Sequence, residues 1–149
     1  MNKINVITID GPSASGKGSL AREIAKTYDL SILDSGSLYR LYAYFANEGI
    51  KSELISSVIQ ENIEFKISNQ DLVIMNVDND ITNKLRSESI ASLASELSSK
   101  EEVRNALFDI QRSFYNDMGL VADGRDMGTV VFPNAGTKIF LIADPEVRA

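Results

Sequence analysis

The chain has 149 residues, of which 44% are hydrophobic and 24% are charged, a balance typical of one soluble globular domain. It contains no cysteine and no histidine, so disulfides, thiolate zinc sites, thiol nucleophiles and the commonest acid–base side chain are excluded. The formal net charge of −6 argues against broad nucleic-acid binding, which requires a basic surface. No apolar run is long enough for a membrane span or a signal sequence, and we expect a cytoplasmic protein with neither a membrane nor a nucleic-acid partner.

The first part of the chain alternates between strand and helix patterns. The run INVITID (4–10) is short, β-branched and almost continuously apolar, which predicts a central parallel strand. Apolar residues at helical spacing predict a helix from Gly16 to about Tyr28. The run LSILDS (30–35) predicts a second strand, and a second helix is predicted from Ser37 to about Asn47.

The middle of the chain carries a different pattern. After a helix predicted at about Glu53 to Gln60, the runs EFKIS (64–68) and LVIMNV (72–77) lie too close together for a crossover connection. They predict an antiparallel hairpin. Two helices are predicted next, from Lys84 to Ser98 and from Lys100 to Asn116.

Strand patterns return at the end of the chain, in GLVADG (119–124) and TKIFLIAD (137–144), and Asp144-Pro145 predicts the start of a further helix. The predicted fold class is therefore α/β. A parallel-sheet core with helices on both faces is formed by residues 1–34 and 119–149, and an α+β segment, 35–118, is inserted into it.

The stretch GPSASGKGS (11–19) follows the first strand and leads into the first helix. Its glycines and lysine satisfy the pattern G-x-x-x-x-G-K, in which backbone N–H groups, the helix dipole and the lysine ammonium favour a bound phosphate. The alternative is a glycine-rich turn that only connects two elements. Gly18 stands where the general pattern has Ser or Thr, which moves the hydroxyl on the magnesium side to Ser19.

Two further motifs follow strands and are therefore expected at the carboxyl edge of the sheet, where open α/β sheets bind ligands. DSGSLYR (34–40) supplies Arg40, and ADGRDMG (122–128) supplies Asp123, a candidate carboxylate for magnesium through a bound water, with Arg125 and Asp126. Ordinary structural roles remain as alternatives. They are a helix cap before a solvated Arg40, and a local salt bridge between Arg125 and Asp126.

The lack of histidine also bears on the reaction. A kinase that phosphorylates an alcohol profits from a base, whereas an acceptor phosphate is already an anionic nucleophile that needs positioning and charge neutralisation. The residue inventory therefore favours phosphoryl transfer to a phosphate. Transfer to an alcohol stays open, since Asp34 could serve as a base.

The segments ITIDGPSASGKGS, LDSGSLYR and ADGRDMGTVVFP, in this order, resemble the bacterial cytidylate kinases, a family of nucleoside monophosphate kinases whose phosphate loop commonly contains G-K-G-T. The resemblance extends over essentially the whole chain. It implies the reaction of ATP with CMP or dCMP to give ADP and CDP or dCDP, with Mg²⁺ as the metal. It also implies that the inserted segment binds the monophosphate, and we expect a monomer.

The resemblance assigns roles to individual residues. The ATP phosphates are bound by the loop residues Gly11, Pro12, Ser13, Ala14, Ser15, Gly16, Lys17, Gly18 and Ser19. Lys17 and Arg125 are the catalytic residues, of which Lys17 steadies the transferring group. CMP is contacted by Ser35, its phosphate is held by Arg40 and Arg125, and its cytosine edge is recognised by Ser95, Arg104 and Asp126. From pattern alone, Ser95 and Arg104 are more simply interpreted as solvated helix positions.

The sequence departs from the family at its end. Family members continue past ADPEVRA (143–149) into an arginine-bearing lid, a further core strand and a final helix, none of which is found in this sequence. Without them we expect weaker ATP binding and slower transfer. The alternative hypothesis is therefore a truncated, catalytically silent nucleotide-binding fragment of the same family.

Overall fold

The computed structural model describes residues 3–12 and 15–142. Two compact units are distinguished, a core unit made of Met1–Asp34 with Phe114–Ala149 and an inserted unit made of Ser35–Ser113. Two sequence predictions lie outside the described residues. These are the roles of Ser13 and Ala14 in the glycine-rich loop and the helix starting at Asp144-Pro145.

The described part of the chain contains seven strands and six α-helices, together with a π-helical turn, Met127–Val131, between the last two strands. In chain order the elements are β1 (Ile4–Asp10), α1 (Lys17–Tyr28), β2 (Ser31–Asp34), α2 (Ser35–Asn47), α3 (Ser52–Asn62), β3 (Ile63–Ser68), β4 (Asp71–Asn76), β5 (Asn79–Asp80), α4 (Thr82–Leu85), α5 (Glu88–Leu97), α6 (Glu101–Ser113), β6 (Leu120–Gly124) and β7 (Ala135–Phe140).

The core unit is built on a parallel sheet with the strand order β2-β6-β1-β7. β1 lies between β6 and β7, and β6 is buried along its whole length, as expected for central strands of a parallel sheet. Parallel pairing brings the carboxyl ends of β1, β2 and β6 to one edge. The predicted α/β class, with INVITID as a central strand, is confirmed.

The inserted unit contains the predicted hairpin, in which β3 and β4 pair antiparallel from Ile63↔Asn76 to Ser68↔Asp71. The sequence did not predict β5, a two-residue strand that pairs with the end of β4. Such a short strand carries too few residues to show an alternating pattern. No helix among the described residues is long and apolar enough to cross a membrane.

Two helix predictions in this unit are wrong in detail. The single helix predicted from Lys84 to Ser98 is two helices, because Ser87 has extended backbone (φ −62°, ψ 148°) and its hydroxyl accepts the N–H of Ile90 at 3.3 Å. Ser87 therefore caps a new helix instead of continuing the old one. The predicted helix from Lys100 to Asn116 ends at Ser113, and Asn116 instead forms a turn in which its carbonyl accepts the N–H of Gly119.

Thr82 joins the inserted sheet to the short helix α4. Its hydroxyl accepts the N–H of the buried Ile74 at 2.9 Å and donates to Asp80 at 2.6 Å. The bond from this hydroxyl is the main reason that the pKa of Asp80 lies below its ordinary value. The stability that Asp80 contributes is therefore present above the ordinary carboxyl pKa and is lost as the pH falls through the lowered pKa.

We expect Thr82→Val to lower the free energy of unfolding by about 1–3 kcal/mol, because the nearly isosteric valine leaves the Ile74 N–H without its acceptor. Urea unfolding at neutral pH measures the effect. Thr137→Val makes the same chemical change at an exposed position of β7 and should stay within about 0.5 kcal/mol of the wild type. Equal losses in the two variants would contradict the role given to the Thr82 hydroxyl.

Candidate functional site

The glycine-rich loop links β1 to α1 at the carboxyl edge of the parallel sheet. Gly16 has φ +85°, in the left-handed region that favours glycine. At Gly11 a Cβ would lie 3.0 Å from the carbonyl oxygen of Leu141 and 3.2 Å from the hydroxyl of Ser15. That hydroxyl donates to the carbonyl of Pro12 at 2.7 Å. Backbone geometry at Gly16 and close approach at Gly11 thus explain two of the glycines of the motif.

The amino end of α1 lies next to this loop. The first N–H groups of the helix have no acceptor within the helix. The first intrahelical bond runs from Leu20 N–H to the carbonyl of Gly16. Among the residues that the structure describes, no side chain caps the helix, and its first turn contains no acidic residue. N–H groups without an intrahelical acceptor and the positive end of the helix dipole favour a bound anion here.

Lys17, the first residue of α1, forms an ion pair with Asp123 at the end of β6, with 2.8 Å between Nζ and Oδ1. Asp123 is almost completely buried, while one fifth of the Lys17 side chain remains exposed. Burial raises the pKa of Asp123, and the hydrogen bond from Lys17 opposes that rise. The ion pair holds the lysine ammonium beside the glycine-rich loop, where an incoming phosphate would compete with the carboxylate for it.

Two carboxylates at this edge bear on magnesium binding. Asp34 of β2 is the register partner of Asp123, and its charge contributes to the raised pKa of Asp123. The described residues contain no group of three or more acidic, histidine or cysteine side chains suited to a metal. Mg²⁺ in phosphoryl-transfer sites is usually held by one or two carboxylates together with substrate phosphates and water. The pair Asp34 and Asp123, with the Ser19 hydroxyl on the first turn of α1, fits that requirement.

Arg22 lies near the candidate site and was missed by the sequence analysis. Gly18 leaves space for its side chain. A Cβ at Gly18 would lie 3.2 Å from Nη1 of Arg22 and 3.7 Å from Oδ2 of Asp123. Arg22 donates to the hydroxyl of Ser19 at 3.4 Å, and its charge lowers the pKa of Asp123. Helical spacing could have identified Arg22 from the sequence, because a residue four positions after Gly18 lies on the same face of α1.

Arg125 and Asp126 are exposed residues that directly follow β6. The carbonyl of Asp126 accepts the N–H groups of Val130 and Val131, at 2.9 and 3.2 Å, and so starts the π-helical turn. Partial burial raises the pKa of the Asp126 side chain, and the charge of Asp10 adds to the rise. Asp126 therefore becomes protonated at a higher pH than a fully solvated aspartate would.

The remaining predicted site residues belong to the inserted unit. Ser35 is the buried first residue of α2, and Arg40 is exposed on the same helix. Arg104 of α6 donates to the carbonyls of Ser98 and Ser99, at 3.3 and 2.9 Å, where α5 ends. The hydroxyl of Ser98 in turn donates to the carbonyl of Ser95. The guanidinium of Arg104 thus lies at the end of the helix that carries Ser95.

The chain belongs to the class of P-loop nucleotide-binding folds. It has the three features of that class, namely a parallel strand, a glycine-rich loop and a helix whose first residue, a lysine, forms an ion pair with a carboxylate on the neighbouring strand. The family model described as cytidylate kinase matches residues 7–149. The chain belongs to the cytidylate kinase family.

Curated relatives agree with this assignment. The chain is 43% identical to the cytidylate kinase of Acinetobacter baylyi over 154 residues, which cover 98% of this chain and 68% of the relative. It is 46% identical to the cytidylate kinase of Pseudomonas syringae pv. tomato, with 99% of this chain and 67% of the relative covered. The predicted resemblance is confirmed, and it places the chain among kinase enzymes.

Proposed function

We propose that this protein transfers the terminal phosphoryl group of ATP to CMP or dCMP. The observation that carries the proposal is the position of Lys17, which lies at the head of α1, beside the glycine-rich loop, and is held there by Asp123. A lysine in this position supplies a positive charge to the transferring phosphate, and the N–H groups of α1 add partial charges of the same sign. The chain belongs to the cytidylate kinase family, and phosphorylation of a nucleoside monophosphate is a reaction that this geometry can support.

The acceptor phosphate of the monophosphate acts as the nucleophile in this proposal. One of its oxygens attacks the terminal phosphorus of ATP, and the bond between that phosphorus and the oxygen bridging to ADP breaks. No proton has to be removed from the acceptor, which suits a chain without histidine. The protein's task is then to position two phosphates and to neutralise their charge, for which Lys17, Arg40 and Arg125 are the proposed cations.

Mg²⁺ would be held on the side of Ser19, Asp34 and Asp123, through water or directly. When bound, it supplies charge neutralisation and orientation to the phosphate oxygens of ATP. Asp123 also keeps Lys17 in place, so the same carboxylate would serve both the lysine and the metal. Arg22, close to Ser19 and to Asp123, adds positive charge to this edge.

Recognition of cytosine is proposed for Asp126, Arg104 and Ser95. The exocyclic amine of cytosine is a donor, and its ring nitrogen and carbonyl are acceptors, so a carboxylate combined with guanidinium and hydroxyl donors is complementary. Uracil presents a carbonyl where cytosine presents the amine. A carboxylate placed there would face an acceptor, and discrimination against UMP follows.

The experiment that tests the proposal is a coupled assay of ADP release with ATP, Mg²⁺ and each of CMP, dCMP, UMP and AMP. We expect turnover with the cytosine nucleotides and a kcat/KM for UMP lower by at least about tenfold. Equal rates with all four acceptors would contradict the specificity. Calorimetric binding of CMP without any turnover would contradict the catalytic part and leave the binding part standing.

A pH dependence is expected from Asp126. The carboxylate form accepts a charge-assisted hydrogen bond from the cytosine amine, which is stronger than the bond that a protonated carboxyl group accepts, so CMP affinity should fall as the pH drops through the raised pKa of Asp126. Calorimetric titrations with CMP between pH 7 and acid conditions measure this fall. Asp126→Asn is the matched control, because the ratio of wild-type to variant affinity cancels protonation of the ligand itself. A ratio that does not change with pH would contradict the role of Asp126.

A further inference from the structure

Asp10, the last residue of β1, is a buried carboxylate that the proposed chemistry does not use; it is 2% exposed. Its Oδ1 accepts the N–H of Met127 at 2.7 Å, and its Oδ2 accepts the N–H of Gly128 at 2.8 Å. Its hydrogen-bond partners among the described residues are therefore two adjacent backbone amides of the π-helical turn. Each carboxylate oxygen holds one of them.

Burying a carboxylate is costly unless strong hydrogen bonds compensate for the lost hydration. Hydrogen bonds to an ionised acceptor are shorter and roughly twice as strong as neutral ones, and the two distances at Asp10 are in that short range. An asparagine of the same size could accept with only one of its two terminal atoms, because the other is an NH₂ donor. The site thus requires a group with two acceptor atoms, which among the side chains is a carboxylate.

The two amides held by Asp10 come directly after Arg125 and Asp126. The turn is also pressed closely against β1. A Cβ at Gly128 would lie 2.7 Å from the hydroxyl of Thr8 and 3.3 Å from Oδ2 of Asp10. Glycine at this position and the carboxylate at Asp10 together set the distance between the turn and β1.

The residue that follows β1 contacts the chain on the other side of Arg125 and Asp126. Gly11 donates its N–H to the carbonyl of Gly124 at 3.3 Å, immediately before Arg125. The dipeptide Asp10-Gly11 therefore contacts the chain on both sides of Arg125 and Asp126, at Gly124 before them and at Met127 and Gly128 after them. Gly11 is also the first residue of the glycine-rich loop, so the loop and the turn are connected to one dipeptide.

We propose that Asp10 is a positioning residue for the monophosphate. By holding Met127 and Gly128, it keeps Arg125 and Asp126 in the arrangement that binds CMP, relative to the loop that binds ATP. This inference rests on the proposed roles of Arg125 and Asp126. The Asp10 side chain bonds to the turn, whereas the contact between Gly11 and Gly124 is made by backbone atoms, so a side-chain change should affect CMP more than ATP.

The test compares the wild type with Asp10→Asn, and with Asp80→Asn as the control. Asp80 likewise accepts a backbone N–H, that of Thr82, but it is exposed in the inserted unit. Calorimetry should show CMP affinity lower by about tenfold in Asp10→Asn, with ATP affinity changed by less than about threefold. Asp80→Asn should bind both nucleotides as the wild type does. Unchanged CMP affinity in Asp10→Asn, or equal losses for CMP and ATP, would overturn the proposal.

Amide hydrogen exchange gives a readout that needs no nucleotide. We expect the N–H groups of Met127 and Gly128 to exchange at least about tenfold faster in Asp10→Asn, while the amides of β6 keep their wild-type rates. If Met127 and Gly128 exchange at the wild-type rate in Asp10→Asn, the inference that Asp10 holds the turn is overturned. A wild type that does not bind CMP would refute the proposed function and the CMP part of this inference, and the exchange result would still decide whether Asp10 holds the turn.

Gly128→Ala provides a second variant that acts on the same contact from the other side, and it replaces Asp10→Asn if that protein does not fold. The added methyl group would meet the Thr8 hydroxyl and push the turn away from Asp10. We expect the same preferential loss of CMP affinity. A Gly128→Ala protein that folds and binds CMP with wild-type affinity would count against the proposal.

Discussion

Lys17→Met is expected to lower kcat by about 10²–10³-fold, because it removes the ammonium group that we propose faces the transferring phosphate. The measurement is ADP release at saturating ATP and CMP. Lys26→Met is the matched control, since Lys26 is an exposed lysine in the last turn of the same helix. A Lys17→Met protein that retains more than about one third of the wild-type kcat would contradict a role in transfer.

The same substitution should alter how stability depends on pH. Lys17 opposes the effect of burial on Asp123, so its removal raises the pKa of Asp123 further above the ordinary value. A group whose pKa is raised by folding contributes stability at low pH that is lost as the pH rises through the raised pKa. The variant should therefore lose stability relative to the wild type on going from acid to neutral pH, which urea unfolding at both pH values would show.

Arg125→Ala should raise the KM for CMP by about 10–100-fold and change the KM for ATP much less, because the variant lacks the proposed charge-assisted contact to the acceptor phosphate. Arg125→Lys keeps the charge but not the planar pair of donors, and it should recover only part of the affinity. Initial rates with CMP varied at fixed ATP, and the reverse, measure the two effects.

The control for Arg125 is Arg86→Ala, which removes an exposed arginine of the inserted unit. It should leave both KM values within about twofold of the wild type. An equal rise in the KM for ATP and for CMP in Arg125→Ala would show that the turn acts on both substrates or on the fold. That result would contradict the assignment of Arg125 to the monophosphate.

The sequence predicted those parts of the fold whose signal is local. The apolar run of β1, the glycines of the loop and the helical spacing of α1 lie within 25 consecutive residues, and each follows from periodicity or backbone geometry. The break at Ser87 was missed because the apolar spacing on its two sides suggested one continuous helix. Only the extended backbone of Ser87 and the bond that its hydroxyl accepts separate α4 from α5.

In the candidate site, the motifs singled out Lys17 and Asp123, but they did not indicate that the two residues form an ion pair. Their ion pair joins positions 106 residues apart, and its partners become identifiable only when β6 is placed beside β1. Asp10 was not predicted at all, because a strand-terminal aspartate before Gly-Pro suggests nothing more than the start of a turn. Its two amide partners lie 117 and 118 residues away, and no sequence pattern indicates them.

The strand order of the core unit determines when its sheet can form during synthesis. β2 pairs only with β6 within the described sheet, and β1 pairs with β6 and β7, so these first two strands have no partner until the chain has been made beyond Leu120. The strands of the inserted unit, by contrast, pair with one another within residues 63–80. At translation rates of about 5–20 residues per second, β2 waits roughly 4–17 s for the start of β6, and β1 waits roughly 5.5–22 s. The inserted unit can thus fold first, while the nascent glycine-rich loop has no sheet to support it.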